Sequence, residues 1–228
     1  AGEAVVTKDY KIHIKFGIVP DEYEMGFENN PIGWIFDGSW AWGPPTGNSP
    51  EPYEGENLAG TNINGDYPNR ADDWLVTPPI DLRDENLASA TLRFHEWYEI
   101  ENNYDKGYLL ITNDYGETWT EIRPVITGNG KEWKETVINL GNYIGSEMPV
   151  YIGFRLTSDG SGTRPGWFID NVRLIGVDRD PPAVPDGLVA EISLTGVKLS
   201  WNPVSDGDLS HYNVYGLAGE EGEYQLIG

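Results

Sequence analysis

What most constrains this chain is the period of its apolar residues. No window carries an i, i+3, i+4, i+7 apolar stripe free of Gly or Pro, so amphipathic helices are not expected. Alternation of period two recurs instead. Tyr10, Ile12, Ile14 and Phe16 alternate with Lys and His. Leu92, Phe94, Glu96, Tyr98 and Ile100 alternate with Arg93, His95, Trp97 and Glu99. Val150, Ile152, Phe154 and Leu156 alternate with Tyr151, Gly153 and Arg155, and Phe168, Asp170, Val172 and Leu174 alternate with Trp167, Ile169, Asn171 and Arg173. Successive side chains of a strand point to opposite faces, so each run sets one face against a core. Turn-forming residues punctuate the runs (28 Gly, 16 Pro), and 39% hydrophobic residues with 9 Trp and 13 Tyr supply a core. The pattern predicts an all-β chain, an antiparallel β-sandwich.

The runs divide unevenly. Between Ala41 and Arg70 lies a segment rich in Gly, Pro, Asn and Glu, too long for a hairpin loop and expected to wrap over a sheet. A second break follows Val177, where Asp178–Pro185 reads D-R-D-P-P-A-V-P, a stiff Pro-rich linker. Strands resume over Gly187–Ile192, Val197–Trp201 and His211–Leu217. The expected organisation is a lead-in over 1–20, a main domain over 21–177, a linker over 178–185 and a small module over 186–228.

Net charge at pH 7 is −22. Such a surface repels phosphate backbones and anionic membranes, so neither is an expected partner, and divalent cations are its natural counterions. The absence of cysteine excludes disulfides, thiolate metal sites and cysteine nucleophiles. No apolar run reaches the ~18 residues of a membrane span. The first residues, A-G-E-A-V-V-T-K, do not form a signal peptide, so a secreted origin implies a mature product or an excised fragment.

One stretch, H-E-W-Y-E-I-E over His95–Glu101, invites comparison with a zinc-protease helix. That chemistry needs histidines at i and i+4, and position 99 is Glu. On a strand, His95 and Glu96 face opposite sides and cannot share one metal. Glu96, between Phe94 and Tyr98 on the alternating face, is expected to bond a buried Tyr, Trp or Arg rather than to catalyse. No G-x-S-x-G elbow occurs. Gly160–Gly166 lacks the phosphate-loop spacing and reads as a turn between strands. T-N-D-Y-G-E-T-W over Thr112–Trp119 fits the Asp-box pattern: Asp114 accepts turn amides, Gly116 supplies positive φ, and Trp119 packs on the next strand.

These residues together carry a family resemblance. F-E-N-N-P-I-G-W over Phe27–Trp34 resembles the opening of MAM domains and related jelly rolls. W-A-W-G-P-P-T-G, G-T-N-I-N-G-D-Y and W-L-V-T-P-P-I-D-L, followed by the His95 strand and by W-F-I-D-N-V-R-L over Trp167–Leu174, resemble in order the MAM-like module of immune inhibitor A-type and bacillopeptidase F-type peptidases. The match runs over about residues 21–177. V-K-L-S-W-N-P-V-S-D-G-D-L-S-H-Y-N-V-Y, with Trp201 and Tyr212, resembles about half of a fibronectin type III module. The resemblance implies a non-catalytic accessory module of a secreted bacterial or archaeal protease, which would stabilise, space or dock the catalytic domain, or hold protein or polysaccharide substrate.

The same resemblance implies a structural Ca2+ where the first and last strands meet, with Glu28 matching the opening F-E and Asp170 the closing strand. The alternation agrees so far as it sets Asp170 on the face of Phe168, Val172 and Leu174, toward the core, where an unpaired carboxylate is costly; the alternative to a cation is that Asp170 caps a turn or accepts backbone N–H groups. Asp73, at the end of the long segment, is the expected third ligand, with Asp72 and Asp37 as substitutes. A rival reading is a carbohydrate-binding module that stacks sugars on Trp40, Trp42 and Tyr53 of the long segment; coplanar exposed rings would favour it and burial would sink it. A glycosidase would require carboxylates converging in a cleft.

Overall fold

A computed structural model describes residues 17–20, 23–84, 86–179, 183–193, 196–204, 212–217 and 224–226. The chain divides into two compact units between Arg179 and Asp180. The expected strand over Tyr10–Phe16 lies outside the described residues.

The first unit is a sandwich of two antiparallel sheets. In chain order its strands are β1 (Tyr23–Met25), β2 (Ile35–Phe36), β3 (Trp40–Gly43), β4 (Leu58–Thr61), β5 (Asp72–Val76), β6 (Leu87–Glu99), β7 (Lys106–Thr112), β8 (Thr120–Glu121), β9 (Asn129–Asn139), β10 (Tyr151–Thr157) and β11 (Gly166–Asp178). One sheet runs β3-β4-β11-β6-β9, with β1 also pairing β11, and the other runs β2-β5-β10-β7-β8. The chain crosses repeatedly from one sheet to the other, as a jelly roll requires. Ile18 forms a parallel bridge with Ile80, which ties the end of the lead-in to this unit.

The alternating faces build one core between the sheets. Leu92 and Phe94 of β6, Trp167, Ile169, Val172 and Leu174 of β11, and Leu75, Leu109, Ile111, Ile152, Phe154 and Leu156 of the facing sheet bury together. Aromatic rings meet edge to face at its centre, Phe154 lying 5.2 Å from Phe94 and 5.5 Å from Trp167. Trp40 joins this core. It is 4% exposed and packs 5.9 Å from Trp167, so it cannot offer a face to a sugar. Period two explains the correction: the first residue of β3 turns inward, and the long segment before β4 leaves the sheet only after Gly43.

Of the expected segment over Ala41–Arg70, the part between β3 and β4, residues 44–57, wraps over a sheet, while β4 interrupts the segment as a strand of its own. The indole N–H of Trp133 in β9 donates to the Glu51 carbonyl at 3.0 Å. The Tyr53 ring lies on that of His95 at 3.5 Å, 10° from parallel. A second, smaller cluster of Leu58, Ile63 and Phe168 forms beneath the segment, with Ala41, Trp97 and Trp133 against it.

A bulge in β11 decides which residues reach which cluster. Asp170 pairs with His95, yet Arg173 pairs with Arg93, so Asn171 and Val172 together oppose Phe94. Asn171 takes φ 50, a left-handed conformation that Asn tolerates better than most residues. Trp167 and Ile169 therefore face the main core from odd positions, and Val172 and Leu174 face it from even ones. Phe168 and Asp170 point the other way, toward the long segment. The expected grouping of Asp170 with Val172 and Leu174 is thus corrected, since one extra residue reverses the alternation between them.

In the second unit, β12 (Val189–Ser193) pairs β13 (Gly196–Ser200) and β14 (Tyr215–Leu217) pairs β15 (Tyr224–Leu226). The Trp201 and Tyr212 rings meet edge to face at 5.1 Å. A hollow of about 320 Å³ is lined by Leu188, Leu199, Trp201 and Tyr212 among others.

Candidate functional site

The candidate site lies where the turn after β1, the loop 53–57 and the bulge of β11 meet. Phe27, buried at φ 57, turns the chain after β1. Glu28 Oε1 then accepts the backbone N–H groups of Glu56 at 3.0 Å and Asn57 at 2.9 Å, while its Oε2 accepts from Asn57 Nδ2 at 3.2 Å. Gly55 lets the loop come this close: a Cβ there would stand 2.3 Å from Glu28 Oε1. Two residues earlier the same loop meets Asp170. Asp170 Oδ2 accepts the Glu54 N–H at 3.0 Å, and Oδ1 accepts the N–H of Asn171 at 2.7 Å. Asn171 Nδ2 donates to Glu54 at 3.1 Å.

Electrostatics set this group apart. Asp170 is fully buried, and among the described residues no Lys or Arg pairs with it or with Glu28. Burial pushes its carboxyl up to about 6, backbone N–H donors oppose this, and the charge of Glu28 adds to the rise. The group offers hard oxygen donors and an excess of negative charge, the donor chemistry that suits Ca2+.

Asp73 does not join Glu28 and Asp170. It stands on β5, in the other sheet, where its Oδ2 accepts the Ser39 N–H at 2.9 Å and the Ser39 hydroxyl. Its carboxylate closes the turn between β2 and β3, over Gly38, whose Cβ would lie 2.1 Å from Asp73 Oδ1. Asp72 is held by Arg155 in a two-bond ion pair at 2.6 and 2.7 Å. Among the described residues the three carboxylates whose ligand atoms lie within 4.8 Å of one another are Glu101, Asp105 and Asp159. Asp105 Oδ2 accepts the Tyr67 hydroxyl at 2.6 Å and its Oδ1 accepts the Asp159 N–H at 2.8 Å, so Asp105 ties loops together at one end of the sandwich, while Glu101 Oε2 is buried without a hydrogen-bond partner among the described residues. The sequence reading missed the trio because its members come from two distant turns.

The sugar platform drawn from the long segment does not assemble. Trp40 is in the core, Trp42 is 37% exposed, and Tyr53, 45% exposed, has one ring face spent on His95. Burial holds the His95 imidazole below its usual range. Glu96, fully inside, accepts two bonds from Arg123 and one each from Thr136 and the Trp167 indole, the last at 2.9 Å. Its expected partners, an Arg and a Trp, are both present, and the arrangement is that of a structural ion pair.

No protein-family model matches the chain. A stretch of 177 residues, 76% of the chain, is 35% identical to bacillopeptidase F of Bacillus subtilis (strain 168) and covers 12% of that protein. A stretch of 133 residues, 54% of the chain, is 29% identical to the pre-pro-metalloprotease PrtV of Vibrio cholerae serotype O1 (strain M66-2), covering 14% of it. Among solved structures, the K3 cleaved adhesin domain of Lys-gingipain from Porphyromonas gingivalis w83 superposes on 68% of the chain and 98% of its own, with 19% identity and a TM-score of 0.45. The CBM22-1 xylan-binding domain of Paenibacillus barcinonensis Xyn10C superposes on 68% of the chain and 94% of its own, with 11% identity and a TM-score of 0.42. The chain is an all-β homologue of a short segment of bacillopeptidase F and of PrtV, in each case a small fraction of the larger protein.

Proposed function

We propose that this chain is a non-catalytic accessory module of a secreted bacterial or archaeal peptidase, fastened by a structural Ca2+ held by Glu28, Asp170 and the loop between them. The homology to two peptidases supports the first part. The observation that carries the second is Asp170: a fully buried carboxylate, raised in pKa, whose neighbours are backbone amides and further carboxylates instead of a cation. Backbone N–H groups satisfy part of its hydrogen bonding but bring no full counter-charge, and a buried charge without one is costly. Glu54, whose carboxylate accepts a bond from Asn171 Nδ2, is the neighbouring acid on the loop, and Asp73 is not part of the group. The ion would pin the loop 53–57 against β11 and so fix the segment that covers the His95 face. The peptidase's catalytic domain is the natural partner, and the extracellular medium, rich in calcium, the natural setting.

Thermal unfolding in CaCl2 and in EGTA tests this, on the wild type and on Asp170→Ala. Calcium at about 100 times its Kd stabilises a one-site protein by about 2.7 kcal/mol, which raises the midpoint of a domain this size by about 5–10 °C. The variant should lose the response. A wild type that melts identically in both media and carries no bound metal would sink the cation site while leaving the homology intact.

A further inference from the structure

The outer face of the five-stranded sheet carries aromatic rings that neither the core nor the Glu28–Asp170 group uses. Three cross-strand rows lie there: Tyr151 beside Thr112; Ile35, Val76, Gly153 and Leu110; then Trp74, Arg155 and Tyr108. Gly153 interrupts the middle row, and a Cβ on it would stand 2.8 Å from Trp119 and 2.9 Å from Trp74. The Asp-box turn delivers Trp119 into this gap, 5.0 Å from Trp74 and inclined at 49°. The same turn, through Tyr115 at φ 59, throws the Tyr115 ring outward to 58% exposure, 6.3 Å from Tyr151 and inclined at 54°. Ile35, Val76, Tyr115, Trp119 and Tyr151 line a pocket of about 290 Å³ between them.

The lining says what class of ligand fits. None of its side chains is ionised, although the chain carries a net charge of −22. Two cations border the pocket and both are spent on carboxylates: Arg155, bonded to Asp72, lies between the rings of Trp74 and Tyr108, 5.2 and 5.7 Å away, and Arg83, within electrostatic reach of Tyr115, is held by Asp81 at 2.6 and 2.8 Å. An anionic ligand would find no counter-charge and would meet Asp114 at the rim, where Thr112 and Thr118 hold its carboxylate in place. Charge complementarity therefore selects an uncharged ligand. A peptide docking by main-chain hydrogen bonds needs a free strand edge; β2, which carries Ile35, is an edge but only two residues long, and the rest of the backbone beneath this pocket is spent in the ladders of β5, β10 and β7. Recognition falls to ring faces and phenol hydroxyls, which match the apolar C–H faces and hydroxyls of a sugar. The rings are mutually inclined, so they suit a soluble chain or chain end and not the flat surface of a crystalline polymer.

We propose that this pocket binds a soluble, neutral glycan, with a sugar ring held between Tyr115 and Trp119. The proposal goes beyond the accessory-module reading and uses a different sheet from Glu28 and Asp170, so either can fail alone. The test is native affinity electrophoresis of the full chain in CaCl2, in gels containing xylan, glucomannan, mixed-linkage β-glucan, laminarin or dextran. Polygalacturonate, microcrystalline cellulose and a proline-rich peptide serve as competitors. Retardation by at least one of the five neutral polymers is expected, and Tyr115→Ala and Tyr151→Ala should each weaken it about tenfold with an unchanged thermal midpoint. No retardation by any of the five, or retardation that both variants leave intact, overturns the proposal. Preferential capture of the peptide, lost in the same variants, also overturns it, because the pocket would then belong to a protein ligand.

Discussion

Glu96→Gln gives the sharpest test of how this sandwich is held together. The Glu96 side chain is 7% exposed and that of its partner Arg123 14% exposed, so solvent screens the pair little. Arg123 Nη2 donates to Glu96 Oε2 at 2.8 Å, and the guanidinium rests on the rings of Trp167, 5.3 Å away, and Phe94, 6.0 Å away. Arg123 Nε is buried with no acceptor of its own. Glu96 is thus the one carboxylate that neutralises a cation reaching across from the other sheet. Glutamine keeps the shape, removes the charge and turns an amide N–H₂ toward donors. Breaking a buried pair on one side costs about 3–5 kcal/mol, or about 6–20 °C in the midpoint of a domain this size. Guanidinium unfolding followed by tryptophan fluorescence reads the first unit, since all but Trp201 of the 9 tryptophans lie in it. Arg123→Met and the double variant complete the cycle. The double variant should recover about 2–3 kcal/mol of the summed losses, because it strands no charge. A Glu96→Gln loss below about 1 kcal/mol, or strict additivity in the cycle, would refute the view that this pair clamps the sheets.

Two further outcomes are expected. Hydrogen bonds from Thr112 and Thr118 hold the Asp114 carboxyl down to about 2. Being lowered in the folded state, it stabilises the Asp-box above pH ~4 and loses that contribution as pH falls toward 2; Asp114→Asn should flatten the acid limb of the stability curve, and an unchanged limb would show the turn to be indifferent to this charge. Gly60→Ala places a Cβ 2.3 Å from the Phe168 ring, which is itself wedged 5.5 Å from Trp97. Overpacking of that kind costs about 1–3 kcal/mol, read in the same unfolding assay, and a neutral result would mean the satellite cluster yields easily.

Strand runs are legible because period two acts locally, and β6, β10 and β11 appear where alternation places them. What the runs hide is where the count slips. Asp170 looked core-facing only because the alternation was carried unbroken through Asn171, whose left-handed φ is a property of the ladder it pairs with. Trp40 looked like a surface ring because it opens a polar, Gly-rich segment, yet it is the inward residue of an edge strand. Glu96 was read correctly as a bonded acid, since an acid on an apolar face must find donors. Asp73 was not, because the Ser39 amide that engages it lies 34 positions away. The aromatic pocket was half visible: the Asp-box marked Trp119, but nothing in the order of residues shows that Tyr115 turns outward or that Gly153 leaves the hole they border.

The slip in β11 also lets one strand serve two masters. A strand of unbroken alternation has a single inside, so any change to its outward residues is felt only by solvent or by whatever lies over that face. With the extra residue at Asn171, the even positions Phe168 and Asp170 face the interior beneath the long loop, whereas the even positions Val172 and Leu174 join Trp167 and Ile169 in the one between the sheets. The loop and its carboxylates can therefore be varied or lengthened while Val172 and Leu174 go on holding the sandwich, and the unit gains a modifiable face without a second domain to carry it.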